Sequence, residues 1–236
     1  KEFMWDGATH HIEAQALAPL HDPKEMGSNI KALLSKLRAS DFYRKAFYDT
    51  YKDTIINSNR TLKALAAFEL SLVSFESKYD AVKTDNAEFS TQEKAGYKLF
   101  KQNCNKCHTE PLFTNGKYMD NNLPIDSSLD DKGRFLVTKQ KEDRYKFKVP
   151  SLRNLSYTYP YMHDGRFTTL NHVLQHYSSN QNIKNKGKAD LEKAIHLSFN
   201  ERADLISFLL TLNDKNFVFN PAYSFPKKLK DYLIQE

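Results

Sequence analysis

The residues most able to do chemistry are two cysteines followed by a histidine. Cys104 and Cys107 stand three positions apart, and His108 follows directly. This spacing is typical of covalent c-type haem attachment, because two thiols on one helical turn can each add to a vinyl group while the adjacent imidazole binds the iron as proximal ligand. With 2 cysteines in 236 residues, this chain can carry at most one covalently attached haem.

Three other interpretations of the cysteine pair are weaker. A thioredoxin-like redox pair needs a preceding strand, whereas a capped helix is predicted before Cys104. A zinc site needs a fourth ligand and usually a second Cys or His pair. An inert buried pair leaves the adjacent His108 unexplained. Haem attachment is therefore the preferred interpretation.

The second axial ligand of such a haem must come from Met, His or Tyr side chains. Met162 and His163 are the obvious candidates by spacing, since Met–His ligation is common in c-type cytochromes, and Met119 is a weaker one. Helical periodicity offers Tyr177 instead, because it lies seven positions after Leu170 on the apolar face of one helix. A phenol there could equally be core packing. Periodicity alone leaves the choice open.

The elements that must position these residues are predicted to be helices. Ser90–Glu93 and Ser198–Glu201 each match a capping box, the first opening a helix that runs toward Cys104. Leu65, Phe68, Leu72 and Phe75 recur at helical spacing and predict a further helix with one apolar stripe. His172 and His176 lie off the Tyr177 face and are predicted to be solvated. The fold class predicted is all-α, mostly helical with long loops.

Composition excludes several classes of function. Hydrophobic residues make up 40% of the chain, enough for a packed core. The net charge of +6 comes from Lys and Arg scattered among 29 acidic residues, with no reading motif, so nucleic-acid binding is not expected. No apolar run reaches the roughly 18 residues of a membrane span. The chain opens without Met or a signal peptide, so we expect a processed or incomplete chain.

Several motifs together give the chain a family resemblance. They are Phe3–Gly7, Glu13–Ala16, Pro23–Gly27, Val149–Asn154 and Tyr159–Phe167, followed by Leu170 and Tyr177. In this order they resemble the end of the N-terminal haem domain and the C-terminal haem domain of bacterial di-haem cytochrome c peroxidases, the group that includes MauG. The resemblance covers essentially the whole chain and implies two c-type cytochrome domains. The implied division is 1–86 for the remnant of the N-terminal (peroxidatic) domain and 87–236 for the C-terminal cytochrome c domain.

The resemblance assigns ligands to one haem. Cys104 and Cys107 would hold it, with His108 as proximal ligand. The family places its distal ligand fourteen residues after the His of its His-Asp-Gly motif, and fourteen residues after His163 stands Tyr177. Peroxidases of the group usually have Met in this position, whereas the MauG-like branch has Tyr, whose phenolate favours higher iron oxidation states. The resemblance therefore favours Tyr177 over the alternative Met162.

Further roles follow from position in the family motifs. Trp5 matches the tryptophan between the two haems, a relay for electrons or holes. Gln15 and Glu25 match residues over the peroxide-binding face of the N-terminal haem, where a carboxylate can move a proton between the two peroxide oxygens. The backbone carbonyls of Thr158 and Pro160 match two ligands of an inter-haem calcium ion, a cation that prefers oxygen ligands.

The function implied is that of a haem peroxidase, which reduces hydrogen peroxide to water with electrons from a small soluble cytochrome c or cupredoxin. The family carries a second Cys-x-x-Cys-His upstream of its Trp motif; this chain has none, so a second haem c is expected on a missing upstream segment. The alternatives are a MauG-like enzyme that oxidises residues of a partner protein and a non-catalytic, single-haem electron-transfer cytochrome. Because c-type haem is attached outside the cytoplasm, we expect a periplasmic protein. The resemblance also allows a homodimer.

Overall fold

The computed structural model describes residues 2–179 and 194–226 and is mostly helical, which confirms the predicted fold class. The α-helices of these residues are α1 (Ile12–Gln15), α2 (Leu17–His21), α3 (Ile30–Ala39), α4 (Asp41–Tyr51), α5 (Ser58–Ser71), α6 (Lys78–Lys83), α7 (Thr91–Asn103), α8 (Phe135–Thr138), α9 (Leu170–Ser178), α10 (Phe199–Leu210) and α11 (Lys215–Val218). Short 3-10 turns lie at Lys141–Asp143, Leu155–Tyr157 and Pro221–Tyr223.

One small sheet interrupts the long loop after the cysteines. Strands β1 (Tyr118–Met119) and β2 (Phe147–Lys148) pair antiparallel, with Tyr118 opposite Lys148. Within the described residues, no helix combines the length and the apolar character needed to cross a membrane.

The chain divides into two compact units. The first comprises residues 1–3, 9–73 and 219–236, and the second comprises residues 4–8 and 74–218. The predicted haem-domain boundary at residue 86 stays a prediction, and the predicted second domain includes 180–193 and 227–236, which lie outside the described residues.

The first unit is built from α1 to α5. Helix α1 packs against α5, and α3 packs against α4. Arg38 extends from α3 and donates to the Ile56 carbonyl through Nε at 2.9 Å and Nη2 at 2.7 Å. This contact fixes the segment before α5, where Ile56 is almost fully buried.

The helix predicted from the apolar stripe Leu65 to Phe75 is too long at its C-terminal end. Helix α5 ends at Ser71, whose hydroxyl donates to the Phe68 carbonyl at 2.7 Å and so competes with helix continuation. The stripe is also exposed within this structure: Phe68 is 48% and Phe75 62% accessible, whereas the buried residues of α5 are Thr61 and Ala66.

The second unit has an aromatic core. It is formed by buried side chains from α6, α7, α9, α10 and the intervening loops: Tyr79, Phe89, Phe100, Phe113, Leu174, Leu205, Phe208, Leu209 and Leu212. Both predicted capping boxes are present, at Ser90 of α7 and Ser198 of α10, and each satisfies two backbone donors at the helix start.

Helices α7 and α10 form the main helix pair of this unit, and a glycine permits their close approach. A Cβ at Gly96 would overlap the Asp204 carbonyl oxygen and lie 2.9 Å from Cβ of Phe208. Because α7 ends directly before Cys104 and α10 supplies Leu205 and Leu209 to the cavity described below, this crossing positions the cysteine segment.

Candidate functional site

The second unit contains an apolar cavity of about 410 Å³. Its size is that of a ligand pocket, and its wall is mainly hydrophobic, with contributions from α9, α10 and the long loop. Every haem-ligand candidate from the sequence borders it: Cys104, Cys107, His108, Met119, Met162, His163 and Tyr177. The tertiary structure therefore brings together residues that are distant in the sequence, such as Cys104 and Tyr177, which are 73 positions apart.

The two cysteines lie in a tight turn at the end of α7. Cys104 is the C-terminal cap of the helix, and its carbonyl accepts from the backbone N–H of Cys107 at 3.2 Å and of His108 at 2.9 Å. No disulfide joins Cys104 to Cys107. Burial, aided by the neighbouring Cys107, raises the pKa of the Cys104 thiol to about 12. The turn thus presents two free thiols to one cavity, as thioether formation with two vinyl groups requires.

His108 is held in a neutral form that could bind a metal. Its Nδ1 lies 3.2 Å from the Phe113 carbonyl oxygen and 3.1 Å from the Pro150 carbonyl oxygen, so Nδ1–H is the donor and the Nε2 lone pair remains for a metal. Burial lowers the pKa of His108 and so favours the uncharged imidazole that binds iron. These contacts match the role of proximal ligand.

Tyr177 and Met162 meet at one amide group. Asn121 Nδ2 donates to Tyr177 Oη at 3.4 Å and to Met162 Sδ at 3.5 Å. Burial raises the pKa of Tyr177, although the Asn121 hydrogen bond lowers it, so the phenol is protonated without a nearby cation. A ferric iron would supply the positive charge that favours the phenolate.

The other sequence candidates also have defined surroundings. The His163 ring stacks on Phe147 of β2 with centroids 3.6 Å apart and an interplanar angle of 11°. Met119 Sδ accepts from Asn115 Nδ2 at 3.8 Å. Both border the cavity, so proximity by itself does not choose among the candidates.

His176 corrects one prediction from periodicity. It was expected to be solvated together with His172, and His172 is exposed, but His176 is only 8% accessible. Its Nε2 lies 3.0 Å from the Asn121 carbonyl oxygen, and its ring meets the Tyr177 ring edge-on with centroids 5.2 Å apart. The loop that carries Asn121 covers this face of α9, which the helical pattern could not show.

Trp5 borders the same cavity although it stands almost at the start of the chain. Its carbonyl oxygen accepts from the Lys148 N–H at 2.7 Å, which adds residues 4–8 to the second unit beside β2. Its side chain is 44% accessible. Thr158 and Pro160, the predicted carbonyl ligands for calcium, also border the cavity.

Gln15 and Glu25 belong to the first unit. Gln15 is the last residue of α1 and is half-buried, and Glu25 lies exposed in the turn after α2. Their predicted role concerns the other haem of the family and stays a prediction.

An ion pair supports the cavity wall. Arg153 borders the cavity and donates to both carboxylate oxygens of Asp80 at 2.8 Å, while Asp80 also completes the capping box at Ser77. Burial raises the pKa of Asp80, but the hydrogen bonds from Arg153 and Ser77 together lower it by more than burial raises it. The pKa of Asp80 therefore lies below its ordinary value. The pair ties α6 to the Val149–Asn154 segment.

Sequence reasoning did not identify Asn121 or Asp80 as site residues. The run Asp120–Asn122 gives only a turn signal, and Asp80 gives only a capping signal. Their partners are 56 positions away for Asn121 and 73 away for Asp80.

Comparison with known proteins agrees with this geometry. The family model described as di-haem cytochrome c peroxidase matches residues 1–88, and the cytochrome c model matches residues 93–213. The methylamine utilization protein MauG of Methylophilus methylotrophus is 34% identical over 89% of this chain and 63% of its own length. The cytochrome c551 peroxidase of Nitrosomonas europaea is 32% identical over 89% of this chain and 60% of its own.

A solved structure gives the same result. A MauG-like protein associated with microbial copper homeostasis superposes with a TM-score of 0.81 at 27% identity, covering 96% of this chain and 75% of the other. The chain spans about three fifths of the length of the two curated relatives above. The matches confirm the predicted resemblance, and they imply haem c as the cofactor. The chain belongs to the di-haem cytochrome c peroxidase and MauG family.

Proposed function

We propose that this chain is the haem-relay part of a di-haem peroxidase that reduces hydrogen peroxide to water with electrons from a small soluble cytochrome c or cupredoxin. The observation that carries the proposal is the convergence of Cys104, Cys107, His108, Tyr177 and Trp5 on one apolar cavity. Peroxidases among its relatives support the reaction class. The bound haem supplies reversible one-electron chemistry at its iron.

Different residues of this chain would hold different parts of that haem. Cys104 and Cys107 would hold the macrocycle covalently, so its position would not depend on a binding equilibrium. His108 offers Nε2 because its Nδ1–H is engaged by two backbone carbonyls. Tyr177 would offer its phenol oxygen to the iron, and the apolar wall would limit the access of water to it.

Other residues serve the exchange with the second haem, which we propose lies on an upstream segment. Trp5 borders the cavity and is exposed on one side, a position suited to relaying electrons. Glu25 and Gln15 manage protons at the upstream haem. The carbonyls of Thr158 and Pro160 contribute to a calcium site. We propose a periplasmic location, because c-type haem is attached there, and a homodimer as the assembly.

A MauG-like reaction, the oxidation of residues of a partner protein, is the second candidate. The observation that favours it is that Tyr177 borders the cavity, where its hydroxyl oxygen accepts from Asn121 Nδ2 at 3.4 Å. A non-catalytic, single-haem electron carrier is the third and is the simplest use of one Cys-x-x-Cys-His segment.

The first experiment counts haems in full-length protein made with the haem-attachment machinery. Intact mass and a pyridine haemochrome spectrum are expected to give one haem for this segment and two for the full-length protein. A Cys104→Ser variant should lose one thioether link, whereas Lys98→Ala, an exposed change on α7, should keep both. Full-length protein without any attached haem contradicts the proposal.

The second experiment separates the three functions. Peroxide is added to the full-length protein with and without a reduced soluble cytochrome c. Rapid spectral change with turnover of the donor supports the peroxidase. Spectral change without donor turnover, but with oxidation of an added protein substrate, supports the MauG-like reaction. An unchanged spectrum supports the carrier.

A further inference from the structure

Asn121 occupies a place that none of the assigned roles explains. It follows β1 and borders the cavity, and its amide nitrogen is shared by the two competing distal ligands, Tyr177 Oη at 3.4 Å and Met162 Sδ at 3.5 Å. Resting on the function proposed above, we propose that Asn121 is a positioning residue that selects Tyr177 over Met162 as the distal ligand of the haem iron.

The orientation of the Asn121 side chain is fixed by its own turn. Its Oδ1 accepts from the Leu123 N–H at 3.2 Å, so the amide nitrogen, with its two hydrogens, is the group directed to the ligands. The Asn121 carbonyl oxygen pairs with His176 Nε2 at 3.0 Å. Because His176 precedes Tyr177 on α9, this contact sets the position of the amide relative to the phenol.

The two acceptors respond differently to the same donor. A phenolate oxygen has three lone pairs, so it can accept from the amide and still bind iron, and the hydrogen bond stabilises its negative charge. A thioether sulfur is a weak, neutral acceptor with two lone pairs, and donation to it withdraws electron density from the atom that would bind. One amide therefore strengthens Tyr177 as a ligand and weakens Met162.

Met162 is a real competitor because it borders the cavity and its sulfur accepts from the same amide as Tyr177. It has φ of 71°, a left-handed conformation that is costly for a residue other than glycine. Its neighbours in the turn, Asp164 and Arg166, form a side-chain ion pair that supports this geometry. The structure thus maintains a thioether at the cavity even though a phenol is available.

The test uses full-length, haem-loaded Asn121→Leu and Asn121→Asp. Leu removes the donor, and Asp keeps the side-chain shape with an acceptor in place of the amide nitrogen. In both we expect the long-wavelength sulfur-to-iron charge-transfer absorption of a Met-ligated ferric haem, together with a positive shift of the reduction potential. Both signals should vanish when Met162→Leu is added.

Asn115→Leu is the matched control. Asn115 also donates its amide to a methionine sulfur, Met119 at 3.8 Å, in the same loop, so its loss should leave the distal ligand unchanged. Haem content and far-ultraviolet circular dichroism identify variants that fail to fold, and the Asp variant then replaces the Leu variant.

Two outcomes overturn the proposal. One is an unchanged spectrum and potential in both folded Asn121 variants, and the other is the same change in Asn115→Leu. A separate result bears on the function itself: if Tyr177→Phe leaves the spectrum of the otherwise unaltered protein unchanged, the ligand assignment fails. In that case the selection by Asn121 fails with it, whereas failure of the Asn121 test alone leaves the ligand assignment intact.

Discussion

Gly96→Ala is expected to destabilise the second unit, against the usual trend for helices. In a helix interior, replacing Gly by Ala gains about 1 kcal/mol because Ala loses less backbone entropy. At Gly96 the added methyl would overlap the backbone carbonyl oxygen of Asp204 and lie 2.9 Å from Phe208 Cβ. A backbone oxygen cannot rotate away, so α7 and α10 must separate.

The magnitude follows from these two effects. Overpacking a tight core costs about 1–3 kcal/mol, and contact with backbone places Gly96 at the upper end. After the gain in helix propensity, we expect a net loss of about 2 kcal/mol. For a chain of this size, each kcal/mol lowers Tm by about 2–4 °C, so Tm should fall by about 4–8 °C.

The assay is thermal unfolding of the haem-loaded protein, followed by circular dichroism at the helix band. Ala95→Gly is the control, because Ala95 lies next to Gly96 on the same helix but is exposed. That change should cost about 1 kcal/mol through helix propensity alone. Gly96→Ala, which adds a methyl group, and Ala95→Gly, which removes one, should therefore both destabilise the protein. A Tm for Gly96→Ala equal to or above that of the unaltered protein refutes the close crossing.

Three further predictions concern buried and half-buried side chains. Asp80→Asn should cost about 2–3 kcal/mol in urea unfolding, because Arg153 loses its bidentate charged partner while the cap acceptor remains. Since the folded pKa of Asp80 is lowered, its contribution is present above about pH 4 and is lost as pH falls through that lower pKa. Asp214→Ala should cost about 3–5 kcal/mol, because this buried carboxylate accepts from several backbone and side-chain donors. Leu205→Ala should cost about 2–5 kcal/mol, because its side chain is fully buried in the core and borders the cavity.

Each of these has a result that contradicts it. For Asp80, the free energy of unfolding of the unaltered protein is compared with that of Asp80→Asn at neutral and at strongly acid pH. If the difference between them is the same at both pH values, the ion pair is not its source. For Asp214, an Ala variant as stable as the unaltered protein means that water satisfies the donors. For Leu205, a loss below 1 kcal/mol means that the neighbouring side chains collapse into the space.

Much of the local structure was predictable from the sequence because its causes lie within a few residues. The capping boxes at Ser90 and Ser198 each involve one helical turn, and both are present. The Cys104–His108 segment is equally local, so its chemistry could be inferred before any fold was known. The helical face of Tyr177 also followed from short-range spacing, and this residue does border the cavity.

Periodicity failed where burial depends on residues distant in the chain. It predicted a helical apolar stripe through Phe75, yet α5 ends at Ser71, and Phe68 of the stripe is exposed in the structure. It predicted a solvated His176, which the loop at Asn121 covers. The spacing of hydrophobic residues indicates which side chains share a helix face. It does not indicate which other parts of the chain cover that face.

The sequence by itself determined the predicted haem-attachment chemistry, the helical class and the family, because each of these depends on short sequence motifs. Only the tertiary structure decided which groups surround the cavity: it brings Asn121 to Tyr177 and Met162, Asp80 to Arg153, and Trp5 to the cavity wall. Those contacts join residues from 41 to well over 100 positions apart, and their energies arise from packing of the whole unit. No local pattern specifies a contact at that separation.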